Sequence, residues 1–104
     1  LAAAAVLALL AVTAGPAAGA AAQPASKFFD EPKGPHGYPL LACLEADSKH
    51  CGDEAALAFC RSRGFARAGD YETTNSVLPR VETITGALCS AAKCKVLQSI
   101  TCLR

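Results

Sequence analysis

Hydrophobic and polar positions follow three different patterns along the chain. The first 26 residues carry no charge and open with the apolar run LAAAAVLALLAV. The next stretch, PASKFFDEPKGPHG, mixes proline, glycine and charge, which predicts an extended, flexible arm. After it, short apolar stretches alternate with turn residues, as in a small folded domain. The predicted organisation is therefore a leader over 1–22, an arm over 23–37 and a domain over 38–104.

One helix stands out in the domain, over residues 53–63. Asp53 and Glu54 suit the positive N-terminal end of a helix, and Gly64 can close the C-terminal end in a left-handed conformation. Apolar side chains recur along it at helical spacing, so we expect an inward stripe formed by Ala56, Phe59 and Cys60.

Strand patterns surround this helix and predict the fold class. The stretches with strand composition are 38–46, 65–74, 80–88 and 95–104. In the last of them, strict alternation would place Val96, Gln98, Ile100 and Cys102 on one face. This order predicts an α+β fold in which one helix packs on a mostly antiparallel sheet of about four strands.

The charge-free leader has the layout of a secretory signal peptide. Its apolar run is shorter than the roughly 20 residues of a membrane span. Ala18, Ala20 and Ala22 offer the small-residue spacing that signal peptidases accept, so we expect cleavage after Ala20 or Ala22. The basic n-region is missing, which predicts a signal peptide truncated at its start. The mature protein is then secreted or periplasmic, without a membrane span.

Composition and charge narrow the partners and the source of stability. The net charge is +1, which gives no reason to expect nucleic acid as a partner. The chain has no Trp, no Met, four Phe and two Tyr. A mature domain of about 80 residues buries only roughly 60 to 65% of its unfolded surface, so it needs support beyond its core.

The six cysteines are the predicted support, because an even number behind a secretory signal is typical of a disulfide framework. Zinc sites need paired cysteine knuckles, and only the Cys89-x4-Cys94 spacing approaches one. His36 and His50 lack a second ligand at close spacing, and no Cys-x-x-Cys is present. We therefore predict no metal and no cofactor.

Geometry favours one of the fifteen possible connectivities without proving it. Cys51 and Cys60 would lie about 13 Å apart on one helix, too far for a bond. A short loop separates Cys89 from Cys94, whereas Cys60 and Cys102 can meet between the helix and the last strand. The favoured pairs are therefore Cys43–Cys51, Cys60–Cys102 and Cys89–Cys94.

Arg61, Arg63 and Arg67 form the one basic cluster that could be a contact site for an anion or a partner. Cations at the C-terminal end of a helix are also common without any binding role, and Asp70 and Glu72 lie nearby to balance them. No arrangement of carboxylates predicts an acid–base pair across a cleft, so no catalytic residue is predicted.

The spacing A-x-x-F-C-x3-G-F, from Ala56 to Phe65, is followed by C-x4-C-x5-I-x-C, from Cys89 to Cys102. With these motifs the chain resembles small exported cysteine-rich bacterial proteins of uncharacterised function. The resemblance implies export and disulfides, and it implies no activity.

Three hypotheses for function remain after the sequence is read. The first is a secreted or periplasmic monomer that binds an unknown protein or small ligand through loops or a sheet face. The second is an inhibitor-like or toxin-like effector that presents the stapled loop between Cys89 and Cys94. The third is a small redox or hydrolytic enzyme that uses Cys51 or Cys60.

Overall fold

The computed structural model describes residues 24–104, so the predicted leader over 1–22 lies outside the described residues. Five strands form two sheets, and one helix packs beside them, which confirms the α+β prediction. The helix is too short and too polar to cross a membrane, and it is the only one described. The elements are β1 (Ser26–Asp30), β2 (Cys43–Glu45), β3 (Lys49–Cys51), α1 (Asp53–Ser62), β4 (Arg67–Asn75) and β5 (Lys95–Leu103).

The larger sheet has the strand order β1–β5–β4, and both pairings are antiparallel. β5 is therefore central, and Ile100 stands opposite Phe29 on one side and opposite Tyr71 on the other. β2 and β3 form a separate antiparallel hairpin just before α1. This arrangement buries one face of the larger sheet under the helix.

The structure corrects the prediction of a flexible arm over 23–37. β1 lies inside that range and pairs with β5 along its whole length. Phe29 packs edge-on against Phe59, with ring centroids 5.1 Å apart, and also against Phe65. Phe28 points to the other face and stays 61% exposed, as strand alternation requires. The two neighbouring aromatic residues therefore have opposite environments.

Two of the predicted strands are shorter or absent. Within 38–46 only Cys43–Glu45 is a strand, while Leu40 and Leu41 make single bridges. The stretch 80–88 is not a strand, because a turn interrupts it where the Gly86 N–H donates to the Thr83 carbonyl. Gly86 has φ +96°, which a strand does not accommodate.

A bulge in β5 corrects the predicted inward face of that strand. Thr73 stands opposite Leu97 and Glu72 opposite Ser99, so Gln98 is an extra residue in the ladder. The residues that face inward therefore have odd numbers before Gln98 and even numbers after it. Leu97 is buried together with Ile100 and Cys102, and Gln98 is exposed.

The helix ends as its sequence predicts. Gly64 has φ +89°, and the Phe65 N–H donates to the Cys60 carbonyl while the Gly64 N–H donates to the Arg61 carbonyl. These two bonds form a Schellman motif, which satisfies carbonyls at the helix end. Phe65 is thereby turned into the core beside Phe59. The predicted inward stripe is buried.

All six cysteines are paired, as Cys43–Cys51, Cys60–Cys102 and Cys89–Cys94. These are the pairs that the sequence geometry favours. Cys60–Cys102 joins α1 to β5 through the middle of the core, and both residues are completely buried. The other two bridges lie toward the loops.

Candidate functional site: an apolar loop beside a cavity

The connection that follows β4 exposes two large apolar side chains in succession. Val77 is 95% exposed and Leu78 is 55% exposed, in the loop 76–80. Single exposed apolar residues are ordinary on protein surfaces, but adjacent ones at a loop tip form a patch. We call this segment, with the cavity beside it, the loop–cavity face.

Hydrogen bonds and a ring contact brace the loop at both ends. At its start, the Ser76 N–H donates to the Cys94 carbonyl, and the Leu78 N–H donates to the Ser76 hydroxyl oxygen. At its end, the Arg80 guanidinium lies 5.7 Å from the centre of the Tyr38 ring. Cys94 is itself tied by a disulfide. The two apolar side chains are therefore presented by a supported loop.

A cavity of about 170 Å³ adjoins the loop. It arises where β1 separates from β5, since Glu31 adopts a left-handed φ of +50° and turns the chain away. The chain returns at Leu40, whose carbonyl accepts from the Leu97 N–H. Two different segments thus pair with one side of β5, and the gap between them is the cavity.

Apolar side chains form the walls of this cavity and polar ones form its rim. Lys33 and Glu31 place opposite charges on the rim, so the site has no net preference for one sign of charge. The polar residues Thr74, Ser76 and Gln98 complete the rim. The apolar walls come from Pro32, Pro39, Leu78, Val96 and Leu97. Such a lining can accept an apolar side chain of a ligand, while the polar residues hydrogen-bond to the main chain of that ligand.

A buried carboxylate fixes the segment that forms one wall. Glu82 is completely buried, and its oxygens accept from the His36 ring at 2.7 Å, the His36 N–H at 2.8 Å and the Tyr38 N–H at 3.1 Å. These bonds hold the loop 34–38 whose ends, Lys33 and Pro39, are bridged to each other and border the cavity. Glu82 therefore positions one side of the cavity.

Opposing effects set the pKa of Glu82. Burial raises the pKa of this carboxyl, and the hydrogen bonds from His36 and Tyr38 lower it. The hydrogen bonds prevail, so the pKa of Glu82 lies below its ordinary value and the group is ionised at neutral pH. A side chain at Gly34 would overlap the Glu82 side chain, so glycine is needed there.

Reading the sequence did not identify this interaction. His36 and Glu82 are 46 positions apart, and no local pattern connects them. The available signal was a lone carboxylate inside the β-branched run VETIT, at a position where its neighbours Val81 and Thr83 are buried. A charged residue that is buried in such a run needs a partner. His36, in the stretch GPHG, is that partner.

The three arginines that the sequence singled out have separate environments. The Arg63 guanidinium lies 4.9 Å from the centre of the Phe59 ring and 5.7 Å from that of Phe29. Arg67 donates to the Arg104 carbonyl at 3.3 Å, and Arg61 is exposed in the last turn of α1. Their role as an anion or partner contact stays a prediction.

His50 is held between two carboxylates on the surface. Its Nε2 lies 3.3 Å from Glu45 and its Nδ1 lies 3.2 Å from Glu54. Within residues 24–104 no group of three His, Cys, Asp or Glu side chains is arranged to hold a metal ion. All six cysteines are in disulfides, so neither Cys51 nor Cys60 carries a free thiol.

Comparison with known proteins yields no relative. No protein-family model, no curated protein and no solved structure matches this chain.

Proposed function

We propose that this chain is an extracytoplasmic binding module that recognises another protein through the loop–cavity face. The observation that carries the proposal is the exposure of Val77 and Leu78 on a braced loop directly beside an apolar cavity. Apolar surface in water is unfavourable, and a partner that covers it gains that free energy. Bracing also lowers the entropy lost when the loop is bound.

The size of the cavity indicates what enters it. Small-molecule sites usually enclose about 300 to 1,000 Å³. This cavity, at about 170 Å³, is too small for such a ligand and is suited to one apolar side chain. The ligand is therefore a segment of a protein or peptide with an apolar residue at its centre.

The expected affinity is moderate. Covering Val77 and Leu78 gains roughly 1.5 to 3 kcal/mol for each side chain that is fully buried. Part of this gain offsets the entropy lost on association. Truncating both side chains should then weaken binding by at least about tenfold, which corresponds to 1.4 kcal/mol.

The three disulfides support an extracytoplasmic setting, because such bonds persist in oxidising compartments. An inhibitor-like effector is the second candidate, and the same braced loop favours it. In that case Val77 and Leu78 are the contact residues, with Cys94 as their support. The two candidates differ in whether the partner loses its own activity when bound.

Peptide selection with matched variants tests the proposal. The oxidised protein is used to select peptides from a random displayed library, and the affinities of the selected peptides are measured by calorimetry. We expect selected peptides to share an apolar residue and to lose affinity for the double variant Val77→Ser with Leu78→Ser. Thr74→Trp, at the rim of the cavity, should block the same peptides.

Phe28→Ser is the matched control, since it also removes an exposed apolar side chain but on the sheet face away from the helix. Its binding should equal that of the wild type, and circular dichroism should show all variants folded. Peptides that bind the Val77 and Leu78 variant as tightly as the wild type would contradict the proposal. A selection that yields no apolar consensus would contradict it as well.

A further inference from the structure

The three disulfides differ in how well a thiol can reach them. Cys60 and Cys102 are both completely buried. Cys89 and Cys94 are each half-buried. Cys51 is exposed, whereas its partner Cys43 is buried in the small cluster with Leu41 and Val81. Thiol–disulfide exchange requires direct approach to one sulfur, and Cys51 offers that approach.

The backbone around Cys51 favours opening of this bridge. Ser48, His50 and Gly52 have φ values of +67°, +56° and +74°, so two non-glycine residues occupy the left-handed region beside the cysteine. Cys43 and Cys51 are direct partners in the β2–β3 ladder, and their bond closes the hairpin that holds these conformations. Breaking the bond lets the strained residues relax.

A cationic cleft adjoins the exposed residue Cys51. A cavity of about 430 Å³ beside the disulfide is lined by Cys43, Ser48, Cys51, Asn75, Lys93 and Lys95. It contains two lysines and no carboxylate. Glu45 and Glu54 flank His50, Asp47 lies 3.5 Å from Lys49, and none of these three acids lines the cleft.

The two lysines of this cleft are sequence neighbours of Cys94, but the cleft that they line lies at the Cys43–Cys51 bridge. Lys93 lies in the bend before Cys94, and Lys95 follows Cys94 as the first residue of β5. Both lysines line the cleft at Cys51, and Cys94 does not. The positive field therefore acts at the Cys43–Cys51 bridge, where it attracts anionic thiols and stabilises a thiolate.

We propose that Cys43–Cys51 is an exchangeable disulfide and that the Lys93–Lys95 cleft is a binding site for anionic thiols. The thiolate of a small anionic thiol attacks the Cys51 sulfur. A bond forms between the two sulfurs, the Cys43–Cys51 bond breaks, and its electron pair leaves on Cys43 as a thiolate. A second thiol then attacks the mixed disulfide and releases Cys51. The net reaction reduces this bridge and oxidises two thiols.

The experiment compares two small thiols of opposite charge on the full oxidised chain. Glutathione and cysteamine are applied separately, the reaction is quenched by alkylation, and mass spectrometry identifies the modified cysteines. We expect the glutathione adduct on Cys51, followed by alkylation of Cys43 and Cys51 before any other pair. The quantity to compare is the rate of glutathione divided by that of cysteamine at equal thiolate concentration. This ratio should be at least about threefold larger on the protein than on a small neutral disulfide.

Two measurements show whether the cleft causes this preference. Lys93→Gln with Lys95→Gln should remove it, whereas Lys27→Gln with Arg104→Gln, which changes the net charge equally, should not. In the unmodified protein, raising the salt concentration from about 10 mM to about 0.5 M should shrink the preference without any substitution. Earlier labelling of Cys89 and Cys94, or a preference that survives both treatments, would overturn the proposal. Neither result depends on the loop–cavity face.

Discussion

The helix–sheet half and the loop half of this domain are stabilised in different ways. The helix–sheet half has a continuous core of nine buried residues, namely Leu40, Ala42, Ala56, Phe59, Cys60, Phe65, Leu97, Ile100 and Cys102. The loop half has a cluster of only three, namely Leu41, Cys43 and Val81. It relies instead on two disulfides near the surface and on the buried Glu82 carboxylate.

The difference shows where a small domain can carry binding residues. Covalent and polar links can hold a loop in place without burying its side chains, so those side chains stay available for contact. Three of the four large apolar side chains exposed within residues 24–104, Val77, Leu78 and Leu88, lie in the loop half, and the fourth, Phe28, lies on β1. The helix–sheet half supplies the rigid support, and the loop half supplies the contact surface.

Removing the central disulfide, Cys60–Cys102, should cause the largest loss in the free energy of unfolding. Cys60→Ser with Cys102→Ser opens a bridge that spans 42 positions, and we expect a loss of about 4 kcal/mol in the free energy of unfolding. A domain of this size has a total stability of roughly 4 to 12 kcal/mol, so the variant should be partly unfolded. Urea unfolding without reductant measures the loss.

Cys89→Ser with Cys94→Ser is the matched comparison, since it also removes one bridge. This bridge spans only five positions, and its loss should cost about 2 kcal/mol at most. The variant should stay folded while the loop 76–80 becomes more mobile, because Ser76 is bonded to Cys94. Equal losses of stability in the two variants would show that the halves do not differ as proposed.

Glu82→Gln should have an intermediate effect and should depend on pH. An amide in place of the carboxylate weakens the bonds from His36 and Tyr38, so the loop 34–38 loosens while the helix–sheet half is retained. The pKa of Glu82 is lower in the folded chain than its ordinary value of 4.5. The stabilisation is therefore complete above pH 4.5 and is lost as the pH falls through the folded pKa.

The measurement is urea unfolding between pH 7 and pH 3, a range that runs from above the ordinary value of 4.5 to below it. The wild type should lose stability toward acid more steeply than Glu82→Gln, and the two curves should converge at low pH. Glu72→Gln is the control, because that carboxylate is exposed on β4. Parallel curves for the wild type and Glu82→Gln would show that another carboxylate governs the acid response.

The helix–sheet half was largely predictable from sequence, for local reasons. Asp53, Glu54 and Gly64 mark the ends of α1, and the inward positions of Phe59 and Cys60 follow from helical spacing. With Cys60 placed inward, its partner on the last strand followed from the alternation around Cys102. Each of these inferences uses residues that are neighbours in sequence or in one element.

The features missed by sequence reading arise from contacts between distant segments. The Pro, Gly and mixed charge of 23–37 predict an arm, whereas the pairing of β1 depends on β5, which lies 69 to 77 positions later. The bulge at Gln98 depends on how β4 and β5 fit together, and alternation alone cannot reveal it. The cavity beside the loop 76–80 also depends on distant segments, because residues from 31–39, 74–78 and 96–98 line it together.

The smallest expected effect concerns the polar link between α1 and β4. The Tyr71 hydroxyl donates to the Asp53 carboxylate at 2.7 Å on the surface of the helix–sheet half. This hydrogen bond raises the pKa of Tyr71 above 10.0. The burial of Tyr71 and the negative charge of Asp53 raise it further. Its stabilisation is therefore complete below pH 10 and is lost as the pH rises through the folded pKa.

Tyr71→Phe should reduce the free energy of unfolding by only about 0.5 to 1 kcal/mol at neutral pH, because the bond is exposed to water and the ring still packs on the core. Asp53→Asn should have a similarly small effect, and the double variant should cost no more than either single one if the two groups act only on each other. Chemical unfolding at pH 7 compares the four proteins. A loss from Tyr71→Phe as large as that from Glu82→Gln would show that the helix–sheet half also depends on a polar link, and the contrast between the halves would then fail.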